Sequence, residues 1–481
     1  MAAKRILIVD VGTSSVKAVL FDGSGHALRA ADRPVVTDAP EPGFAEQATG
    51  DWWQATIEAV TELAIDHPVD AITLSGSMQN IVLLGRDGLS LRPAILYSDA
   101  RVDASRVEAV GADLPADFEA RIGNKVDPAL CLYRLDWLHE HEPDVMAAAS
   151  RILFGAKDSV IHSMTGRAVV DPSTASTTGL MNLAARNWDA AILASIGLSP
   201  ALLPDILDAD ALAGPLLPEA AASLGLVAGI PVHVGAGDGG ATAWGTASEV
   251  HDRPHAYLGT TGWIAAAMPL ETAAPPRASY TLAAPVGSDV VVISPFLAAG
   301  LALDWFAHIA GRTVPELYAA AGTHDAEPPS ALFLPFLIGE RAPFADRAVR
   351  GAFLGLGSAQ HTEALAYAVL EGLAFAIRDN LDALPVRPRA IVLAGGVAGA
   401  GVVAQLVADV TGAVVEVPPE SRLVTAYGAY RMLAPVIGAT SAPEAGSRIV
   451  PPRADRAARA ERRFTAYRRA TEAARALATD L

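Results

Sequence analysis

The chain has 481 residues, room for about three domains of ordinary size or two large ones with a tail, and its 51% hydrophobic and 19% charged composition excludes intrinsic disorder. Its 53 acidic residues outnumber 36 basic ones, so the net charge of −17 disfavours nucleic acid as a partner, the basic residues being scattered apart from a run between Arg453 and Arg469. Cys131 is the only cysteine, which precludes an intrachain disulfide and a cysteine-based zinc site and makes a reducing compartment the default.

The chain opens on a basic segment, but the apolar run Ile6 to Val9 meets Asp10 after four residues, too short for a signal-peptide core. Val290 to Leu303 is the longest later apolar stretch, contains Pro295 and is too short to cross a bilayer. A cytoplasmic protein without a membrane partner is the expectation.

Arg5 to Asp10 is β-branched and apolar, Gly12-Thr13-Ser14-Ser15 breaks it, and Val16 to Phe21 resumes a strand pattern, which predicts a β-hairpin with a second turn at Asp22 to Gly25. Trp52, Trp53, Ile57, Val60 and Leu63 recur at helical spacing, predicting a helix over 51–64 with Asp51 as its N-cap. Ala71 to Leu74, Ile81 to Leu84 and Ala94 to Tyr97 read as strands, so strands and helices alternate and the class is α/β. Another apolar strand, Ile230 to Val234, runs into Gly235-Ala236-Gly237-Asp238-Gly239-Gly240 and then a small-residue helix over 241–247.

The pattern restarts beyond His251-Asp252-Arg253-Pro254. His255 to Leu258, the turn Gly259-Thr260-Thr261-Gly262 and Trp263 to Ala267 repeat the opening hairpin about 250 residues on, which predicts two similar halves with a boundary near residue 250. A helix over 362–380, a strand over 390–393, a turn at Gly395-Gly396 and a helix over 401–411 follow, and the Ala- and Arg-rich stretch 454–478 reads as a surface helix. The spans expected are 1–250, 251–435 and a C-terminal helical extension over 436–481.

A turn of glycine and hydroxyl residues between strands presents backbone N–H groups and short O–H donors to one side, which suits a phosphate. Gly12, Thr13, Ser14 and Ser15, with Lys17 beside them, and Gly259, Thr260 and Thr261 have that composition; either alone reads first as an ordinary hairpin turn, and the pair in matching contexts favours phosphate. Asp10 borders the first loop, where a carboxylate repels phosphate unless a divalent cation lies between them, so it is a candidate Mg²⁺ ligand or else a cap of the turn. Asp238 stands among Gly235, Gly237, Gly239 and Gly240, on backbone that a substrate can approach, or serves as a helix N-cap. The same stretch matches G-x-G-x-x-G, but an acid inside the loop repels a pyrophosphate and no acid follows to hold a ribose, which weakens a dinucleotide reading. No G-x-x-x-x-G-K-[ST], H-E-x-x-H or C-x-x-C occurs, and His139-Glu140-His141 reads as a solvated helix face.

The ordered set of these segments resembles the FGGY carbohydrate kinases, and within them the xylulokinase-like branch. It comprises Asp10 to Lys17, Glu46-Gln47 before Trp52-Trp53, Arg92 to Leu96, Lys157-Asp158, Gly235 to Gly240 and Leu258 to Gly262. Phe333-Leu334-Pro335, Gly339 to Pro343, Gly351 to Leu356, Leu370-Glu371-Gly372 and Gly395-Gly396 complete it. The resemblance implies two ribonuclease-H-like domains of the actin and sugar-kinase ATPase type with ATP and sugar in an interdomain cleft. It further implies ATP binding by Gly12, Thr13, Ser14, Ser15, Lys17, Gly259, Thr260, Thr261, Gly395 and Gly396, Mg²⁺ near Asp10, sugar contacts from Met78, Gln79 and Asp238, and Asp238 as catalytic base. It leaves a homodimer open.

Met78-Gln79 stands where the branch usually has Met-His, and Asp238-Gly239 where it has Asp-Asn; Arg134 replaces a common Lys, and Ala400 a common polar residue. The departures at Gln79 and Gly239 bear on the sugar, and those at Arg134 and Ala400 are milder. The implied activity is ATP-dependent phosphorylation of a small sugar, a pentulose such as D-xylulose first, another ketose, sugar alcohol or polyol second. An actin- or chaperone-like ATPase without a sugar substrate is the contrasting class, and a dinucleotide oxidoreductase a third.

Overall fold

The apolar run at the start of the chain forms strand Arg5–Val11, which returns antiparallel as Ser15–Asp22 and again as Ala27–Pro34. The computed structural model describes residues 4–246, 251–273, 279–324, 329–358, 360–419, 423–440 and 446–478. Two compact units divide the chain: Met1–Gly245 with Thr281–Val291 and Leu423–Pro443, and Thr246–Tyr280 with Val292–Arg422 and Glu444–Leu481. These units cut the chain differently from the contiguous spans expected above.

In the first unit the sheet runs Leu212–Pro215, Pro231–His233, Ala71–Gly76, Arg5–Val11, Ser15–Asp22, Ala27–Pro34. Arg5–Val11 and Pro231–His233 flank Ala71–Gly76 in parallel, and Ala236–Gly237 also pairs with it in parallel. Three antiparallel strands followed by two parallel ones is the ribonuclease-H-like order. Because successive strand residues face opposite sides, Leu7 and Val9 enter one core with Trp52 and Val60, while Ile6 and Ile8 enter another with Phe21, Tyr427 and Tyr430.

The helix predicted from Asp51 spans Thr49–Glu62 and starts from Ala48, with no side-chain cap. Asp51 lies in its first turn, where a carboxylate complements the helix dipole. The small-residue helix likewise starts earlier than expected, spanning Asp238–Gly245. It packs on Val424–Ile437 at backbone contact: a Cβ on Gly245 would lie 1.9 Å from Val424 O, and one on Gly428 1.7 Å from Ala241 O. That contact places Leu423–Pro443 in the first unit, because residues sealing the Ile6–Phe21 core come from the segment between strands Val414–Val417 and Arg448–Val450 of the second sheet.

The second unit repeats the plan. Val292–Phe296 (the part of strand Val290–Phe296 in this unit), Gly262–Met268, His255–Leu258, Ala390–Ala394, Val414–Val417 and Arg448–Val450 lie side by side in that order, with Ala390–Ala394 parallel to both of its neighbours. The stretch read as a surface helix is Ala457–Ala478, and it is docked on one side: Ala460, Phe464, Tyr467 and Thr471 are buried. Their spacing of three and four residues defines a stripe that the surrounding Ala and Arg obscure in the sequence. Phe464 and Tyr467 pack on Phe375 of helix Thr362–Asp382, ring centroids 5.9 and 5.4 Å away. Among the described residues no helix is long and apolar enough to cross a membrane.

Candidate active site

In an open parallel sheet the chain segments that follow the carboxyl ends of the strands form the binding edge. Val11, Gly76 and Gly237 lie abreast on three neighbouring strands, so the segments leaving that edge carry the first hydroxyl loop, Met78-Gln79 and Asp238. The first unit thus brings together Asp10, Gly12, Thr13, Ser14, Ser15, Lys17, Met78, Gln79 and Asp238.

The hydroxyl loop is braced from behind. Thr13 O accepts Gln47 Nε2 at 2.7 Å, Ser14 O accepts Val35 N at 3.0 Å, and Ser15 O accepts Gly12 N at 3.0 Å. Gln47 is in turn held by Trp52 Nε1 at 2.7 Å, which gives the Glu46-Gln47 and Trp52-Trp53 segments a structural reason. With three successive carbonyls tied to the protein, the N–H groups of Thr13 and Ser14 take no hydrogen bond among the described residues. The loop is a nest of donors suited to an anion.

Asp10 pairs in register with Lys17 across the hairpin. Partial burial holds its carboxyl above the ordinary range, and the Lys17 charge opposes that shift. Asp238 is the first residue of its helix and accepts Gly239 N–H at 2.8 Å, so the helix-start reading describes its place in the fold. Its side chain reaches the surface, yet the protein around it strips hydration, and the like charges of Asp10 and Asp171 add to that loss. Against one opposing hydrogen bond, these push its carboxyl up to about 7.

The strand end before Asp238 is held by residues to which sequence reasoning assigned no role. Asp171 Oδ1 accepts Gly237 N–H at 3.2 Å and Thr174 Oγ1 at 2.6 Å, and lies 3.0 Å from Lys157 Nζ. Lys157 also binds Asp158 at 2.6 Å, and all three charged side chains are fully buried. The signal available was Asp171-Pro172-Ser173-Thr174, an acid before a proline that starts a helix. Gly237 has no room for a side chain: a Cβ there would lie 2.1 Å from Met78 Sδ and 2.7 Å from Thr174 Oγ1. Met78 therefore packs against the strand that ends at Asp238.

The second unit builds its loop the same way. Gly259 O accepts Gly300 N at 2.8 Å, Thr260 O accepts Leu301 N at 3.0 Å, and Thr261 O accepts Gly259 N at 3.0 Å. The start of helix Gly300–Ala310 thus consumes the loop's carbonyls, and no hydrogen bond among the described residues takes up the N–H of Thr260 or Thr261. Gly395 and Gly396 leave the same edge from the neighbouring parallel strand, Gly395 at φ +96° with Leu258 O only 2.5 Å from where its Cβ would be. Cys131 is buried, its thiol pushed up to about 11, and takes no part in either site. His139, Glu140 and His141 are exposed as expected, with Glu140 bound to Arg106 and His141 stacked on Trp137.

Residues 5–245 match the N-terminal domain of the FGGY family of carbohydrate kinases, and residues 256–434 match its C-terminal domain. The chain is 32% identical to the xylulose kinase of Escherichia coli (strain K12) over 433 residues, 88% of each protein. It is 29% identical to the erythritol kinase of Brucella abortus (strain 2308) over 507 aligned positions, 97% of this chain and 95% of that one. A crystal structure described as a xyloylose kinase from Brucella ovis superposes with a TM-score of 0.90 at 31% identity, covering 98% of this chain and 100% of that one. Two matched domains in order, with a relative this similar along most of its length, show that the chain belongs to the FGGY family of carbohydrate kinases and is an ATP-dependent sugar kinase.

Proposed function

We propose that the chain transfers the γ-phosphoryl group of ATP to a hydroxyl of a small sugar, a pentulose such as D-xylulose, with Asp238 as general base. The observation that carries this reading is Asp238 itself: a carboxylate near the braced loop of free N–H groups, with its pKa raised to about 7, where a general base works best at neutral pH. The alcohol proton passes to Asp238 as the sugar oxygen forms its bond to phosphorus and the bond from that phosphorus to the ADP oxygen breaks. The loop N–H groups at 13–14 and 260–261 stabilise phosphate charge, and Gly395-Gly396 serve the nucleotide.

The donor set near Asp10 fits Mg²⁺. Asp10 would supply one carboxylate, a hard oxygen donor of the kind that ion takes. No group of three or more His, Cys, Asp or Glu forms a self-contained cage among the described residues. One carboxylate completed by phosphate oxygens and water is the usual way this ion is held, and when bound it neutralises phosphate charge.

A second reading, another ketose, a sugar alcohol or a polyol, has its own support. Gln79 and Gly239 depart from the xylulokinase pattern, and the similarity to an erythritol kinase extends over 97% of the chain. Unpairing one buried sugar hydroxyl costs about 1–3 kcal/mol, enough to change which sugar is preferred. The test is ATP turnover measured alone and with a panel of pentuloses and polyols. Turnover that requires one of these compounds supports a sugar kinase and names its substrate class; turnover indifferent to all of them would instead support an actin- or chaperone-like ATPase.

A further inference from the structure

Gln79 has φ +58°, the left-handed region that a non-glycine residue occupies only when its surroundings hold it there. Two bonds do so. Its side-chain Nε2 donates to Thr177 O at 3.1 Å, and its backbone carbonyl accepts Nη2 of Arg134 at 2.8 Å.

Arg134 stands on helix Cys131–His141 and is fully buried. It also donates to Ala129 O at 2.6 Å and to Leu96 O, so one guanidinium gathers carbonyls from three separate segments. Among the described residues no carboxylate forms an ion pair with it, and its Nε has no hydrogen-bond partner. Burying a cation against neutral carbonyls and the Cys131 thiol, whose Sγ lies 3.8 Å from Nη2, costs stability relative to an apolar side chain of similar volume. What the planar fork provides in return is geometry, several carbonyls fixed at once.

We infer that Arg134 is a positioning residue for sugar recognition, clamping Gln79 in its left-handed conformation so that its side chain meets the substrate in one orientation. The inference rests on the proposed reading of Gln79 as a sugar contact, and it assigns Arg134 an effect on the sugar that ATP does not share.

The test is steady-state kinetics of Arg134→Met, Arg134→Lys, Gln79→Ala and Arg134→Met/Gln79→Ala, with the sugar identified in the panel and folding checked by thermal melting. Arg134→Met is expected to raise the sugar KM about tenfold with the ATP KM within about twofold, and to add less than about twofold once Gln79 is already Ala. A folded Arg134→Met with an unchanged sugar KM, or with equal effects on sugar and ATP, or with an effect that persists in the Gln79→Ala background, overturns the inference. Gln79→Ala without effect on sugar kinetics overturns the underlying reading of Gln79 instead. Should Arg134→Met fail to fold, Arg134→Lys carries the test: a change of about threefold or more in the preference between two sugars of the panel supports the clamp, and an unaltered preference refutes it.

Discussion

Asp10 and Asp238 bring like charges to strand ends on either side of Ala71–Gly76, and the consequences can be read at single residues. Asp238→Asn keeps the shape of the side chain and removes its proton affinity, so kcat should fall by roughly two to four orders of magnitude with the ATP KM little changed. In the wild type, kcat/KM should be level above about pH 7 and fall about tenfold per unit below it as Asp238 takes up a proton. The sign for stability is the reverse. A carboxyl whose folded pKa lies above its unfolded value stabilises the fold while protonated, and that contribution is lost as pH rises through about 7. The Tm of Asp238→Asn should therefore gain on the wild type between pH 5 and pH 8, by on the order of one to two degrees given how far the side chain reaches into solvent. A Tm difference constant across that range would place the cause of the lost activity elsewhere.

At the scale of elements, two contacts set the architecture. Helices Asp238–Gly245 and Val424–Ile437 touch through backbone, and a methyl group on Gly428 would overlap Ala241 O at 1.7 Å. Gly428→Ala should cost about 2 kcal/mol or more, read from denaturant unfolding, and should impair turnover as well because the displaced helix begins with Asp238. In the second unit Arg463 of helix Ala457–Ala478 binds Glu371 of helix Thr362–Asp382 and donates to Ala331 O at 2.7 Å. Glu371 is buried and its carboxyl is raised by desolvation despite that partner. Arg463→Ala removes the hydrogen-bonded partner of this buried acid and should destabilise by about 3 kcal/mol, whereas Arg463→Ala with Glu371→Leu should recover much of the loss. Equal destabilisation of the single and double variants would show that the pair itself contributes little. Helix Ala457–Ala478 was legible in its existence from 22 residues without a breaker, but not in its docking. Its buried stripe includes an alanine and a threonine, which do not stand out among their neighbours.

At the scale of the whole molecule, the first unit is not a contiguous stretch of chain. Phe21 packs against Tyr430 and Tyr427 with ring centroids 5.2 and 6.3 Å apart, and Leu423, Ala426 and Leu433 share that core with Ile6 and Ile8. A fragment of residues 1–246 expressed alone should therefore be poorly soluble or bind a hydrophobic dye, and joining residues 423–440 to it through a flexible linker should improve both. A fragment that melts cooperatively like the intact chain would refute this account of the core.

What the sequence by itself determined lies where neighbours along the chain decide the outcome. The unbroken apolar run Ile6 to Val9 specifies a strand buried on both faces. Gly12 to Ser15 and Gly259 to Gly262 specify tight hydroxyl turns, and Gly235 to Gly240 specify an acid on accessible backbone. Those local patterns, with their order along the chain, were sufficient for the fold class and the family, and they named the candidate residues on which the proposed site rests. Tertiary structure alone decided which groups hold these residues. Asp171 reaches Gly237 across 66 positions, Arg134 reaches Gln79 across 55, and Gln47 reaches Thr13 across 34. The bonds of Asp171 and Arg134 to these backbone groups are long-range, joining side chains to segments far along the chain, and such pairings leave no periodicity for a sequence to display.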